Sequence, residues 1–342
     1  METIHILGSG ALNLDLIYEV EDLACLRDEG FPLYPGREIT SDRDMATRLL
    51  RTLERRGSLV VRCGGGSAAN TICALQALGW KTAFTGMLGD DPEGESITAS
   101  MPGVDLSRVK RSGKSALCIV VLERKTRDRS LCVIPREPPG GLSVLLETAT
   151  RRIEAIPLVH MSSLVEENGI AFHEGLAQAM RPGQILSLDP GEIYARRGFA
   201  ALSLILGRVD VLFLTDTEIH LMTGLSPAAG TQVLLALLHF PGSAPFPFFS
   251  SIEGPAVVRK QGAQGATLHT RRGEVSVPAR TVKEIVDNTG AGDAFNAGFI
   301  HGILKGEGPE GCLEAGIGAA AMSLTAPGRG WIGELTREHP EL

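Results

Sequence analysis

The sequence predicts an α/β protein in which a central, mostly parallel sheet is covered by helices, with a smaller β-rich part beside it. From residue 64 onward, strand-like and helix-like runs alternate, with short apolar strands at 81–87, 157–162, 185–188 and 211–214. That alternation is typical of a parallel sheet with helices on both faces. Two further apolar runs, at 116–122 and 130–134, are joined by charged residues and predict a hairpin outside this rhythm.

Composition and charge describe an ordinary globular enzyme. The chain has 342 residues, of which 43% are hydrophobic and 21% charged, and its net charge is −7. A chain of this length can bury roughly 75% of its unfolded surface in one large core, or divide into a core and a small accessory unit. We expect a single unit spanning 1–342. The negative charge argues against a nucleic-acid or membrane partner. We expect a cytoplasmic protein with reduced cysteines, because there is no signal-peptide pattern, no apolar run of about 20 residues and no Cys-x-x-Cys pair. A monomer or a homodimer is expected, and the sequence does not decide between them.

The elements divide between an expected α/β core and an expected lid. A strand at 4–8 is followed by an extended run at 11–20 and a polar interval at 21–62 with a helical stretch near 45–56. A helix is predicted at 67–78, ending at Gly79. We expect 11–62 and 112–137 to form a small β-rich lid over the core. The Pro-rich segment 241–255 is expected to be a loop, packed against the protein or facing a partner.

The segment 287–295, Asp-Asn-Thr-Gly-Ala-Gly-Asp-Ala-Phe, carries the clearest chemical signal. An alternating run at 281–286 predicts a strand before it, and Phe295 and Phe299 begin a helical period after it. Backbone N–H groups at the start of that helix can bind a phosphate-like anion. Asp293 would repel such an anion, so its presence favours a proton acceptor beside a transferring phosphoryl group.

This segment resembles the signature of the ribokinase-like (PfkB) kinases of sugars and nucleosides. The resemblance implies a ribokinase-like three-layer sandwich and ATP-dependent transfer of the γ-phosphate to a hydroxymethyl group. It also implies that Asp293 is the general base and that ATP binds with Mg²⁺. The anion hole of the family falls on three consecutive residues, namely Gly290, Ala291 and Gly292.

The resemblance implies an acceptor site built from two segments. Gly65, Gly66 and Asn70 match the Gly-Gly and Asn positions that bind acceptor hydroxyls in the family, and Asn13 and Asp15 match the Asn and Asp of its first extended run. From the residues alone, the glycines could equally serve a tight backbone crossing, and Asp15 could face solvent. The Gly-Gly-Ser sequence, and the long interval before it, resemble the adenosine-kinase branch.

Nucleotide and magnesium contacts are implied at two turns. Thr215-Asp-Thr-Glu218 resembles the family's Asn-x-x-Glu motif, in which Glu218 would organise Mg²⁺ through water. Thr215 replaces the Asn and so puts the ATP contact at that position in doubt, and an ordinary helix N-terminus remains the alternative. Gly262 and Gly265 match a Gly-x-x-Gly turn that lines the nucleotide phosphates in the family; the alternative is a plain hairpin turn.

The resemblance also implies a lid arginine and a potassium site. Arg129 resembles a lid residue that moves onto the phosphates of ATP, and it could instead be a solvated charge. Its competitors for that role lie close by in the chain, namely Arg124, Arg127 and Arg136. K⁺ would be held by backbone carbonyls with Asp287 and Thr289. The loop 326–330 is expected near the adenine and this cation.

A second function class stays open: a degenerate family member that binds a sugar or nucleotide as a sensor. Thr215 in place of Asn favours it, whereas the intact Asp293 opposes it. Two other nucleotide-binding motifs are incomplete, because each lacks a required glycine. Arg108 stands where a P-loop ending at Ser115 needs its first Gly, and Asn13 stands where a dinucleotide fingerprint needs its third Gly. The sequence leaves the identity of the acceptor open.

Overall fold

A computed structural model describes residues 3–126, 128–138, 141–239 and 246–338. The strands in these ranges, in chain order, are β1 Ile6–Ser9, β2 Asn13–Val20, β3 Glu38–Thr40, β4 Gly57–Gly65, β5 Thr82–Leu88, β6 Asp105–Arg111, β7 Ala116–Glu123, β8 Arg129–Ile134, β9 Leu158–Ser162, β10 Ile185–Asp189, β11 Val211–Thr215, β12 Ala256–Lys260, β13 Ala266–Thr270 and β14 Gly273–Val277.

The helices in the same ranges are α1 Ala24–Arg27, α2 Arg43–Arg56, α3 Ser67–Ala77, α4 Pro92–Ala99, α5 Leu142–Thr150, α6 Gly169–Ala179, α7 Gly191–Ala195, α8 Gly198–Ala201, α9 Ser203–Leu206, α10 Asp216–Thr223, α11 Pro227–Leu237, α12 Pro247–Ile252, α13 Ala291–Lys305, α14 Pro309–Ser323 and α15 Ile332–Glu338. Among the described residues, no helix is long and apolar enough to span a membrane.

Nine strands form one large sheet in the order β14-β13-β12-β11-β10-β9-β1-β5-β6. Neighbours from β6 to β12 pair in parallel, and β13 and β14 extend the sheet antiparallel at one edge. The predicted α/β class with a mostly parallel sheet is confirmed. Strands β10, β11 and β12 are adjacent and parallel. Their last residues, Asp189, Thr215 and Lys260, therefore lie together at the carboxyl-terminal edge of the sheet, where the parallel strands end.

Helices cover both faces of this sheet, as the sequence predicted. Alternate residues of β11 face opposite sides: Phe213 packs in a core with Ile72 of α3 and Phe299 of α13, whereas Leu212 packs in a core with Leu176 of α6. All five side chains are fully buried. Strands buried on both faces carry mostly apolar residues, and this burial explains why these segments read as near-continuous apolar runs.

A second, five-stranded sheet has the order β3-β8-β7-β2-β4. The predicted hairpin is confirmed as the antiparallel pair β7–β8, and β2 lies between β7, which is parallel to it, and β4, which is antiparallel. Leu49 of α2 and Ile119 of β7 belong to a separate apolar core beneath this sheet. The strand β4 lies partly inside the interval expected to be polar. It ends at Gly65, and Gly66 connects it to α3.

Two expectations about local structure were wrong. Residues 281–286 form no strand: Ile285 is exposed, and the Val286 N–H donates to the Leu324 carbonyl rather than to a neighbouring strand. Alternation alone cannot make a strand where no partner strand is adjacent. Within the expected loop 241–255, residues 241–245 lie outside the described ranges. The rest contains α12, whose Phe248 and Phe249 are fully buried in the main core.

Candidate active site

The first turn of α13 opens onto a cleft of about 410 Å³ between the two sheets. Gly290 precedes the helix with φ +81°, a left-handed conformation that a side chain would strain. The first N–H groups of a helix have no intrahelical partner, so this turn presents donors and the positive end of the helix dipole. Gly290, Gly292 and Asp293 all line the cleft, and Ala291 lies between them.

Asp293 presents its carboxylate to the cleft and to two residues of α3. Ser67 Oγ donates to Oδ1 at 2.5 Å, and Asn70 Nδ2 donates to Oδ2 at 2.8 Å. Burial raises the pKa of Asp293 to about 6, although these two hydrogen bonds act in the opposite direction. The carboxylate is therefore mostly ionised at neutral pH, with a higher affinity for a proton than an exposed aspartate has.

The expected acceptor residues lie together on the wall of the cleft formed by β2 and α3. Asn13, Asp15, Gly66 and Asn70 line it, and Asn13 Nδ2 donates to Asp15 Oδ1. Burial raises the pKa of Asp15 to about 7, while the charge of Arg329 acts to lower it.

The two glycines of this wall have different surroundings. A Cβ on Gly65 would lie 2.1 Å from Asp15 Oδ1. Gly65 therefore lies against the Asp15 carboxylate and not on the cleft surface. The absence of a side chain at Gly65 leaves space for that carboxylate. Gly66 has φ +104° and immediately precedes α3, and a Cβ there would lie 2.0 Å from the Ala11 carbonyl oxygen. Both positions require glycine because backbone and side chain approach so closely.

Arg329 is a site residue that the sequence did not single out. Its Nε donates to Asn70 Oδ1 at 2.7 Å, and its Nη1 donates to Ser100 Oγ at 3.0 Å. The arginine thereby fixes the Asn70 carboxamide, with its oxygen toward the guanidinium and its nitrogen toward Asp293. The loop 326–330, expected near the adenine and the cation site, thus reaches Asn70 on the wall formed by β2 and α3, and its Gly328 N–H donates to Asp287.

Thr215 and Glu218 form a capping box at the start of α10. The Glu218 N–H donates to Thr215 Oγ1 at 3.3 Å, and the Thr215 N–H donates to Glu218 Oε2 at 2.7 Å. Both residues nevertheless line the cleft. The pKa of Glu218 is raised by burial and then by the charge of Asp189. Carboxylate oxygens are ligands that Mg²⁺ prefers, and one carboxylate on the cleft surface fits Mg²⁺ bound through water.

Gly262 and Gly265 lie on the short turn between β12 and β13, outside the residues that line the described cleft. Gly265 has φ +98°, and a Cβ there would lie 2.1 Å from the Val277 carbonyl oxygen, so packing against the chain after β14 already requires glycine. The structure therefore places them beyond the end of β12, next to the cleft rather than in it.

Arg129 connects the second sheet to the signature segment. Its guanidinium donates to Asn288 Oδ1, and Arg129 lines the cleft. The competing Arg124 is exposed and pairs with Glu19 and Glu21. Arg136 is buried and points to Glu166, away from this cleft. The fourth candidate, Arg127, lies outside the described residues.

Asp287 and Thr289 are adjacent, as a shared cation site requires. Asp287 accepts from the Thr289 N–H at 2.8 Å and from the Gly328 N–H at 3.0 Å. Thr289 Oγ1 is buried and has no hydrogen-bond partner among the described residues. An oxygen left in this state fits a monovalent cation. In the described ranges, no group of three or more His, Cys, Asp or Glu side chains forms a metal cluster.

A charged group beside the first turn of α13 was also missed. Lys260 Nζ donates to Asp189 Oδ2 at 2.6 Å, and Asn296 Nδ2 of α13 donates to the same oxygen at 2.6 Å. Lys260 is 71 positions from Asp189 in the chain, and Asn296 is 107 positions from it, so no local sequence pattern relates them. The only signal was Lys260 at the start of the glycine turn.

Comparison with known proteins identifies the family and the fold of the chain. The model of the pfkB family carbohydrate kinases matches residues 44–331. A sugar kinase of Archaeoglobus fulgidus is 28% identical over 73% of this chain and 94% of its own, and an ATP-dependent ribose-1-phosphate kinase of Halopiger xanaduensis is 28% identical over 83% and 90%. The fold is that of the Sinorhizobium meliloti adenosine kinase, with a TM-score of 0.79 at 18% identity, covering 98% of this chain and 99% of that one. The chain therefore belongs to the pfkB family of carbohydrate kinases and is a sugar or nucleoside kinase, a phosphotransferase acting on an alcohol group.

Proposed function

We propose that the protein transfers the γ-phosphoryl group of ATP to a hydroxymethyl group of a sugar or nucleoside, with Asp293 as general base. One observation carries this proposal: the Asp293 carboxylate and the first turn of α13 face the same cleft. A proton acceptor and an anion-binding helix start at one place suit an alcohol attacking a phosphoryl group. Gly290, Ala291 and Gly292 would supply the N–H groups of the anion hole.

The acceptor would bind against the wall formed by β2 and α3. Asp15 accepts hydrogen bonds from hydroxyl groups, while Asn13 and Asn70 supply both donors and acceptors. Gly66 brings backbone close to the acceptor without a side chain, and Gly65 gives Asp15 its room. This combination suits vicinal hydroxyls, which both donate and accept.

In the reaction, the acceptor oxygen forms a bond to the γ-phosphorus while the bond from that phosphorus to the β,γ-bridging oxygen breaks. ADP leaves with the bonding electron pair. The hydroxyl proton passes to Asp293, whose pKa of about 6 leaves it mostly ionised at neutral pH. An ionised carboxylate has about four lone-pair positions, so the bonds from Ser67 and Asn70 leave room for the acceptor hydroxyl.

The nucleotide would lie along the edge where β10 to β12 end. Thr215 and Arg129 line the cleft there, and Gly262 and Gly265 border it. Glu218 would hold Mg²⁺ through water, and that ion would offset the charge of the ATP phosphates. Asp287 and Thr289 would hold K⁺, whose charge would support the anion-binding turn.

The second sheet would act as a lid, formed by residues 11–62 and 112–137. It supplies cleft residues from β2, β7 and β8, including Asp15, Val120 and Arg129. Closure over a bound acceptor would exclude water that otherwise attacks ATP.

The cleft favours a sugar over a purine nucleoside as acceptor. Among the described residues that line it, none is aromatic. Nucleobases are commonly bound by stacking on an aromatic side chain, and the described part of the lining offers no such face. Its apolar wall consists instead of small aliphatic side chains, such as Val120 and Val133.

The test is ATP consumption with a panel of pentoses, hexoses, phosphorylated pentoses and nucleosides, measured beside the binding of the same compounds. We expect turnover with at least one compound, and higher kcat/KM with sugars than with adenosine. Binding without turnover across the panel would instead support the alternative, a catalytically degenerate sugar or nucleotide sensor. Higher kcat/KM with adenosine than with every sugar would contradict the inference drawn from the aliphatic wall.

A further inference from the structure

Lys260 is a buried cation at the edge of the sheet where the cleft opens. It is the last residue of β12 and pairs in register with Thr215, the last residue of β11. Its ammonium group reaches across β11 to Asp189 at the end of β10, with 2.6 Å between Nζ and Oδ2. Both side chains are largely shielded from water, with exposed fractions of 11% and 6%.

Asp189 is itself held by α13. Asn296 lies one turn after Asp293 and is fully buried. Its side-chain Nδ2 donates to Asp189 Oδ2 at 2.6 Å. Strand β12, strand β10 and helix α13 therefore meet at one carboxylate. A lysine side chain has several rotatable bonds, and this carboxylate fixes where its charged end lies.

That charged end lies against the anion hole. A Cβ built on Gly292 would be 3.3 Å from Lys260 Nζ, and Lys260, Gly290 and Gly292 all line the cleft. The ammonium group therefore lies beside the turn whose N–H groups face the cleft. It carries three N–H donors, and the bond to Asp189 engages one of them.

The surrounding charges keep this lysine protonated. Burial acts to lower its pKa, but Asp189 and Glu218 outweigh that effect and the pKa of Lys260 is raised. A permanent cation beside a helix N-terminus makes a strong site for a phosphoryl group.

We propose that the Lys260 ammonium group binds a γ-phosphate oxygen of ATP in the anion hole of α13, and that Asp189 and Asn296 are its positioning residues. This inference rests on the proposed function. Lys260 keeps its proton throughout, because the acceptor's proton goes to Asp293. Its role is to offset negative charge on the transferred γ-phosphoryl group. The competing explanation is a purely structural ion pair that joins β10 to β12.

The test compares two nucleotides that differ at the γ-phosphate. Calorimetry would measure binding of ADP and of the β,γ-imido analogue of ATP, each with Mg²⁺, to the unaltered protein, to Lys260→Gln and to Lys260→Arg. A lost hydrogen bond between charged groups costs about ten- to hundredfold in affinity. We expect Lys260→Gln to lose that much affinity for the imido analogue, to change less than threefold for ADP, and Lys260→Arg to recover part of the loss.

Two further variants separate charge from folding. Lys260→Gln leaves the Asp189 charge without its ion-pair partner. Adding Asp189→Asn removes both buried charges, so the double variant should recover the thermal stability that Lys260→Gln loses, without recovering the preference for the imido analogue. Arg208→Gln breaks another buried pair, Arg208–Asp210, where Nη1 and Oδ2 are 2.9 Å apart and neither residue lines the cleft. It should lower thermal stability and leave the nucleotide preference unchanged.

An unchanged preference in folded Lys260→Gln, or an equal loss of both nucleotides, would overturn this inference alone. Failure of the unaltered protein to bind either nucleotide would overturn the proposed function together with it.

Discussion

At the scale of single residues, the behaviour of Asp293 depends on a balance between burial and hydrogen bonding. Burial disfavours the carboxylate form and raises the pKa to about 6, whereas the hydrogen bonds from Ser67 and Asn70 favour that form. A general base works best when its pKa lies near the operating pH. The proton affinity of Asp293 is thus set by two residues of α3 as well as by its own position.

Changing Ser67 should move the acid limb of the pH profile. Protonated Asp293 cannot act as base, so we expect kcat/KM for the acceptor to fall as the pH drops through about 6. Ser67→Ala removes a donor that favours the ionised form. The pKa should therefore rise, and the acid limb should move to higher pH by about one unit.

The matched control is Ser96→Ala on α4, because the Ser96 hydroxyl donates to the Pro92 carbonyl outside the cleft. Its acid limb should coincide with that of the unaltered protein. A Ser67→Ala profile that stayed in place, or moved to lower pH, would contradict the part assigned to this hydrogen bond.

At the scale of elements, the first turn of α13 can bind an anion only if its cleft side stays clear. Gly292 is the second residue of the helix, and a side chain there would point toward Lys260 Nζ. The position therefore combines ordinary helical geometry with a need for empty space. Glycine is intrinsically unfavourable inside a helix, by about 1 kcal/mol relative to alanine.

We expect Gly292→Val to raise the KM for ATP at least tenfold without lowering the midpoint of thermal unfolding by more than a few degrees. The branched side chain covers the N–H groups while the helix itself loses little. Gly333→Val is the matched control, since Gly333 is likewise second in its helix, α15, and a Cβ there has no neighbour within 4 Å. An unchanged KM for ATP in Gly292→Val would argue against the anion hole.

Local sequence patterns predicted the helix that contains most of the signature segment, and also the hairpin of the second sheet. The helix after residue 290 and the hairpin β7–β8 follow from apolar periodicity, which the buried faces impose directly. Segment 281–286 has the same alternation but no neighbouring strand, so the pattern misled. Strand β4 was missed because its charged flanks resemble a solvated interval, although it pairs with β2 along its whole length.

At the scale of the whole molecule, the cleft exists because two sheets with separate cores face each other. Arg129 on β8 bonds to Asn288 of the signature segment and so links the two parts across the cleft. Contacts of this kind are absent from any local pattern. Lys260 with Asp189, and Arg329 with Asn70, were missed for the same reason, since 71 and 259 positions separate the partners.

Arg129→Ala should weaken the use of ATP, because it removes the cleft side chain of the second sheet that we propose contacts the nucleotide. We expect kcat/KM for ATP to fall about tenfold, in line with the loss of one charge-assisted hydrogen bond. Arg124→Ala, on the same hairpin but paired at the surface with Glu19 and Glu21, should behave like the unaltered protein. Steady-state kinetics with saturating acceptor would measure both, and equal effects of the two variants would contradict a specific role for Arg129.

The most direct measurement of the central claim is the turnover of Asp293→Ala, with Glu310→Ala as control because Glu310 is an exposed acid in the first turn of the neighbouring helix α14. We predict that Asp293→Ala lowers kcat by about 10²–10⁴-fold, the range typical of a lost general base, while the protein stays folded and still binds the imido analogue of ATP. Near-normal kcat in a folded Asp293→Ala protein would contradict the assignment of Asp293 as the base.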